Sequence, residues 1–412
     1  MYMANRGSRY RAWRCTSWLT ADRVVVYSCA MLLAAGVLTA LWATMSHGFT
    51  TRDVIRPGSD FAVFWTASDM TLHGHAASVY DSRAFAHAQY ALLDQFQSGM
   101  FLPWLYPPTM LLFVAPLSLV PFLPAYFLFF AGSFLCYAHA LRTLTGLRVL
   151  LPRPRLAALV VLAYPAVFIA FMQGQNSIAT AGIAALALVH LDRRPIVAGL
   201  LISLLAIKPQ LAVLFPVALI AARAWRAFAA AAVGTVAFVC ASLMISGTGA
   251  IHGAIHAVSS VQSYHLMRSA AYWDASPTTF AALRLAGAPL SIAYAMQFAV
   301  AMLAIASTVG VWRRTRDLRL RAAVLAIATL LTTPYLWHYE LTWLGIAVFC
   351  LVAYGLEAGW LPGDQGVIVL AWLLPVFELC NRVLHAPQFG PVVLLAVLFV
   401  VVRRAALVPR EL

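Results

Sequence analysis

Residues 24–45 read VVVYSCAMLLAAGVLTALWATM, twenty-two residues without a charge. About 20 such residues cross the hydrocarbon core of a bilayer as a helix, and runs equally rich in Ala, Leu and Val recur as far as residue 403. Barrel strands would show shorter, alternating segments instead. With 63% hydrophobic and only 10% charged residues in 412, the chain has too little polar surface to coat a soluble globule. The pattern predicts an all-α, polytopic integral membrane protein of about 12 transmembrane helices. A single membrane domain, 24–403, follows a basic cytoplasmic segment, 1–23, and precedes a short cytoplasmic tail, 404–412.

The net charge of +14 does not point to nucleic acid, because the arginines punctuate the apolar runs and so carry topology. Arg6, Arg9, Arg11, Arg14 and Arg23 place the N-terminus in the cytoplasm. Following the runs outward and back puts twenty-one of the twenty-eight basic residues inside, with Arg382 and Lys208 among the seven left outside. Residues 46–105 and 247–288 become external loops. Within the first, 61–72 and 84–96 have the amphipathic pattern of helices lying in the interface. Tyr106-Pro107-Pro108 opens a stretch, ending near Pro121, too proline-punctuated for an ordinary span and read as re-entrant or broken. The six cysteines, Cys15, Cys29, Cys136, Cys240, Cys350 and Cys380, show neither metal spacing nor a disulfide framework. No cleavable signal is expected, since the first run is of full span length.

On this topology the unusual polar groups gather on the external side. Polar groups at membrane depth are expensive and are kept for function. Asp60, in Gly58-Ser59-Asp60-Phe61-Ala62-Val63-Phe64-Trp65, sits among aromatics that would desolvate a carboxylate and suit it to act as a base; it also fits as the cap of a helix starting at Phe61. Lys208 is the only lysine. It divides two short apolar runs, where an ammonium and free backbone N–H groups would make an anion site, although an interfacial lysine reaching for water has the same look. Gln173-Gly174-Gln175-Asn176 offers carboxamides to sugar hydroxyls, or is a polar turn between spans. Pro334-Tyr335-Leu336-Trp337-His338-Tyr339-Glu340 brings imidazole, phenols, indole and carboxylate to one span end, as a sugar site or an aromatic belt. The pairs His73/His75 and His252/His256 lack the partners of a metal motif, and no glycine-rich cradle for a nucleotide is present.

These pieces resemble the polyprenyl-phosphate-dependent glycosyltransferases of family 87, in the GT-C superfamily. The resemblance rests on Ser59-Asp60-Phe61 to Trp65, Tyr80-Asp81, Tyr106-Pro107-Pro108 with Pro116-Leu117, Gly174-Gln175-Asn176, Ala198-Gly199 to Lys208-Pro209, and Pro334-Tyr335 to His338-Tyr339, in the family's order. It implies a GT-C-like enzyme that moves a hexose, often mannose, from a polyprenyl-phosphate donor to a lipid-linked or glycan acceptor. It further implies Asp60 as general base, and Lys208 and His338 at the donor phosphate. Trp65, Tyr106, Gln175, Asn176, Tyr339 and Glu340 are the remaining candidates, for sugar or acceptor. No metal or other cofactor is expected, since cationic side chains and helix N-termini can hold a monophosphate leaving group. A single lysine against abundant Arg and Ala points to a GC-rich bacterium, hence an inner membrane with the site on its external face. Two rival readings are a transporter or flippase of lipid-linked glycans and a glycan polymerase.

Overall fold

The computed structural model describes residues 18–48, 57–93, 101–146, 154–268 and 273–408. Arg6, Arg9, Arg11, Arg14 and Cys15 lie outside these. All regular structure in the described residues is helical. Among the described residues, seven helices are long and apolar enough to cross a membrane: α1 (Ala21–Met45), α5 (Phe122–Leu144), α11 (Trp225–Ser246), α14 (Leu290–Arg314), the segment His338–Ala358 containing α16 (Thr342–Ala358), α17 (Asp364–Leu384) and α18 (Gly390–Leu407). An eighth is made if α6 (Pro154–Leu162) and α7 (Pro165–Gln173) count as one broken span. Four further apolar helices are shorter: α4 (Pro108–Leu119), α8 (Ser177–His190), α9 (Pro195–Ile207) and α10 (Pro209–Ala221). The expected count of about twelve is therefore not met by helices of spanning length.

Proline accounts for much of the difference. A residue before proline is driven out of the helical region, and Tyr164, ahead of Pro165, sits at φ −68°, ψ 120°. There the apparent span 156–172 turns by 70°. Lys208, ahead of Pro209, is likewise non-helical at φ −139°, ψ 78°. The re-entrant or broken expectation for the stretch after Tyr106 corresponds to the short α4.

The core forms around α16, whose side chains are buried along nearly its whole length. Tyr137 of α5 and Tyr164 donate to the carbonyls of Thr342 and Leu341 at 2.7 and 2.8 Å, and the Trp343 indole donates to the Thr180 hydroxyl at 3.1 Å. Small residues permit close helix packing, as expected where lipid supplies no hydrophobic drive. A Cβ on Gly182 of α8 would stand 3.1 Å from the backbone nitrogen of Tyr137, and one on Gly199 of α9 would stand 2.5 Å from the carbonyl of Ala227 in α11.

Helices α2 (Ser59–Leu72) and α3 (Ser82–Leu93) correspond to the two amphipathic stretches. Only α3 has mixed exposure. Eight residues of α2 are buried, Phe61 and Phe64 completely, so α2 is packed into the body and does not rest on its surface. Phe61 explains this, with its ring among those of Phe122, Tyr126, Phe129 and Phe130 at 5.3–6.3 Å.

At the far end from α2, fully buried Asp364 pairs with Arg403 and Arg404, joining the start of α17 to the end of α18. Removing one partner of a buried pair leaves the other uncompensated. Asp364→Ala is expected to lower stability by about 3–5 kcal/mol. Thermal unfolding in detergent checks this, and an unchanged midpoint would contradict the pairing.

Candidate active site

The site is assembled where three chain breaks meet. The first is the start of α2. Gly58 occupies the left-handed region at φ 80° and its N–H donates to the Met172 carbonyl at 2.8 Å. Asp60 therefore lies inside the first helical turn, near the positive end of the helix dipole. It does not cap the helix: Gly58 holds that position.

The second break follows α7. Gly174, at φ 85°, ends the helix, and a Cβ there would stand 2.5 Å from the Phe61 backbone nitrogen. Only glycine allows that approach. It presses the turn 173–176 onto the start of α2, so that the Gln175 amide donates to Asp60 Oδ2 at 2.5 Å. The Tyr106 hydroxyl donates to Gln175 Oε1 at 3.2 Å, and the Tyr80 hydroxyl to the Tyr106 carbonyl at 3.1 Å. A chain of hydrogen bonds thus runs from Tyr106 through Gln175 to the carboxylate.

The third break is at Lys208, where the ammonium forms an ion pair with Glu340. Both residues are buried, with 4% and 6% exposure. The ammonium is thus compensated by a carboxylate, as a cation buried this far requires. The Lys208 nitrogen lies 5.5 Å from the ring centroid of Tyr106 and 5.4 Å from that of Tyr339. Glu340 Oε2 is buried without a hydrogen-bond partner among the described residues. Two residues before it in the chain, His338 is fully buried, its Nε2 2.7 Å from the Gln173 amide nitrogen. An amide nitrogen only donates, so Nε2 accepts and the ring proton belongs on Nδ1.

Burial raises the proton affinity of Asp60 above the ordinary carboxylate range. The hydrogen bond from Gln175 opposes that shift, followed by the charges of Lys208 and Arg382 and a hydrogen bond from Ser59. Burial, and then the negative charges of Asp60 and Glu340, keep Tyr106 a neutral phenol far above its usual pKa. Such a carboxylate, half-buried and held on one oxygen, is a stronger proton acceptor than an ordinary surface carboxylate.

Asp60, Tyr106, Gln175, Lys208, Tyr339 and Glu340 are thus brought together, with His338 joined through Gln173. Two candidates stand apart. Trp65 follows Asp60 by five residues, roughly 140° around the helix, and donates its indole N–H to the Val120 carbonyl at 3.0 Å beside Phe122. Asn176 is completely buried, with its amide 3.7 Å from Met110 Sδ. Three residues were not singled out from the sequence: Gln173, which lies in the quoted turn; Tyr80, in the Tyr80-Asp81 fragment; and Arg382, an exposed cation beside an apolar span.

Helices of membrane-spanning length surround a carboxylate site with carboxamide, phenol and paired charges, in a membrane protein of the all-α class. The model of glycosyltransferase family 87 matches residues 104–334, more than half of the chain, and the protein belongs to that family. Tyr106, Gln175 and Lys208 fall inside the match; Asp60 and His338 reach the site from outside it. Neither the curated proteins nor the solved structures contain a match to the chain. Membership makes the protein a glycosyltransferase and implies a polyprenyl-phosphate sugar donor and a glycan or lipid acceptor.

Gly174→Ala is expected to strain the turn and clash with α2, costing about 1–3 kcal/mol and displacing Gln175 from Asp60. Melting temperature and transfer rate should fall together, whereas normal values for both would contradict the close approach.

Proposed function

We propose that the protein transfers a hexose, with mannose the first donor to try, from a polyprenyl phosphate to a lipid-linked or glycan acceptor by inversion, with Asp60 as general base. Asp60 takes the proton of the acceptor hydroxyl, the oxygen attacks C1 of the sugar, and the bond from C1 to the phosphate oxygen breaks. The electron pair leaves with the polyprenyl phosphate. The observation that carries this reading is the hydrogen bond from Gln175 to Asp60, at 2.5 Å. It orients one carboxylate oxygen while the half-buried side chain keeps an elevated proton affinity. Tyr106 and Tyr339, both half-buried beside Lys208, offer ring faces to the sugar, and His338 and Glu340 keep unpartnered polar atoms for it.

The distribution of charge supports an external location for the site. Helix α10 runs from the Lys208 break to Ala221, two residues before Arg223, and α15 (Leu318–Thr332) carries Arg321 in its first turn and ends before His338. The opposite end of the bundle therefore has Arg223, Arg313, Arg314, Arg316 and Arg321 around one cavity of about 520 Å³. The positive-inside rule turns that end to the cytoplasm and the site outward, in a bacterial inner membrane with the N-terminus inside.

Asp60→Asn should reduce transfer from polyprenyl-phosphate mannose by at least about 10²-fold with the protein still folded, and full activity would overturn the assignment. The base works deprotonated, so wild-type transfer should fall as pH drops through the raised pKa of Asp60, above the usual carboxylate range. Gln175→Ala removes an interaction that lowers this pKa and should move the acid limb to higher pH. A limb that stayed in place would contradict the coupling. Labelled sugar that crossed sealed vesicles without becoming attached would favour a flippase instead.

A further inference from the structure

The departing phosphate needs a positive charge. A glycosyl polyprenyl phosphate is a diester with one negative charge, and the monoester that leaves gains a second as the bond to C1 breaks. A cation at that oxygen stabilises the transition state more than the ground state. Among the described residues, Lys208 and Arg382 are the cations whose charges act on Asp60, and Arg382 acts on His338 as well.

Lys208 is poorly suited, because its charge is compensated by Glu340 and both side chains are buried. His338 accepts from Gln173 on Nε2, and an imidazole with one proton brings no net charge. Arg382 differs from both. It is exposed near the end of α17, and none of the ion pairs among the described residues includes it. Its guanidinium lies 5.9 Å from the ring centroid of Trp337. That ring stacks with Tyr339 at 6.2 Å and adjoins His338 at 5.8 Å.

The backbone beneath Arg382 is fixed. The buried Asn381 side chain donates to the Asp274 carbonyl at 2.9 Å and accepts from the Ala386 N–H at 2.8 Å. His385 contacts the Asp274 carboxylate at 2.7 Å. One residue on, the Ala275 carbonyl accepts from the His338 N–H at 3.1 Å. The segment starting at Trp273 therefore clasps both the end of α17 and the turn bearing His338, which holds the Arg382 backbone beside the turn whose Trp337 ring the guanidinium covers.

We propose that Arg382 is the residue that binds the phosphate of the polyprenyl-phosphate donor and receives its second negative charge as the sugar departs. This rests on the sugar-transfer reading above. The proton of the acceptor goes to Asp60, the new bond forms at C1, and the phosphate oxygen keeps the electron pair against the guanidinium. The fork of a guanidinium matches two phosphate oxygens, which a lysine ammonium cannot do. Lys208 and Glu340 then act as a positioning pair for the rings of Tyr106 and Tyr339.

The test uses the full chain in detergent or nanodiscs, with Arg382→Gln and Arg382→Lys compared to wild type. Polyprenyl monophosphate, with polyprenol as the uncharged control, measures binding independently of turnover. Arg382→Gln should bind the monophosphate at least about tenfold more weakly and polyprenol unchanged, with Arg382→Lys between. Its transfer should fall by about 10²-fold or more, mainly in kcat. Equal monophosphate affinity in wild type and Arg382→Gln would overturn the assignment, whether or not transfer is seen. Wild type that binds the monophosphate through Arg382 but transfers no sugar would leave this site standing and count against the glycosyl-transfer reading alone.

Discussion

An ammonium and a carboxylate inside an apolar bundle are tolerable only in each other's company, and the contact between Lys208 and Glu340 is the constraint that the site is built on. It joins the break between α9 and α10 to the turn before α16, two segments separated by 132 residues. Tyr106 and Tyr339 lie against the same ammonium, so the pair also places the two half-buried rings. The Gly174 turn then brings Asp60 to this centre by a different device, the absence of a side chain. One contact is electrostatic and the other steric, and together they bring a carboxylate, a carboxamide and two phenols within reach of one another.

The membrane class was legible because hydropathy reports the cost of exposing backbone and side chains to lipid, which no tertiary contact alters. Span number was less so. Pro165 and Pro209 break runs that look continuous or paired in hydropathy, and a 70° bend has no hydropathic signature. For α2, the pattern of polar and aromatic residues fits an interfacial helix equally well; its burial comes from rings on α5, sixty or so residues away.

Asp60, Gln175, Lys208 and Glu340 were legible as candidates because polar groups are rare in such a chain, so each stands out singly. Their pairing was not. Lys208 looked like a free cation for the donor because nothing local reveals Glu340 as its partner. Arg382 looked like a stray exception to the charge bias, since its closeness to Trp337 depends on how α17 meets the turn before α16. Trp65 shared a motif with Asp60 but turned to the other side of the helix, a matter of five residues and the helical repeat.

A single displacement at C1 assisted by one base inverts the sugar. The most direct measurement is the anomeric configuration of the product, read by NMR from wild-type transfer with a donor of known configuration. With Asp60 as the base of a single displacement, the product has the configuration opposite to that of the donor; retention would require a second displacement through a covalent intermediate and would contradict the inverting mechanism.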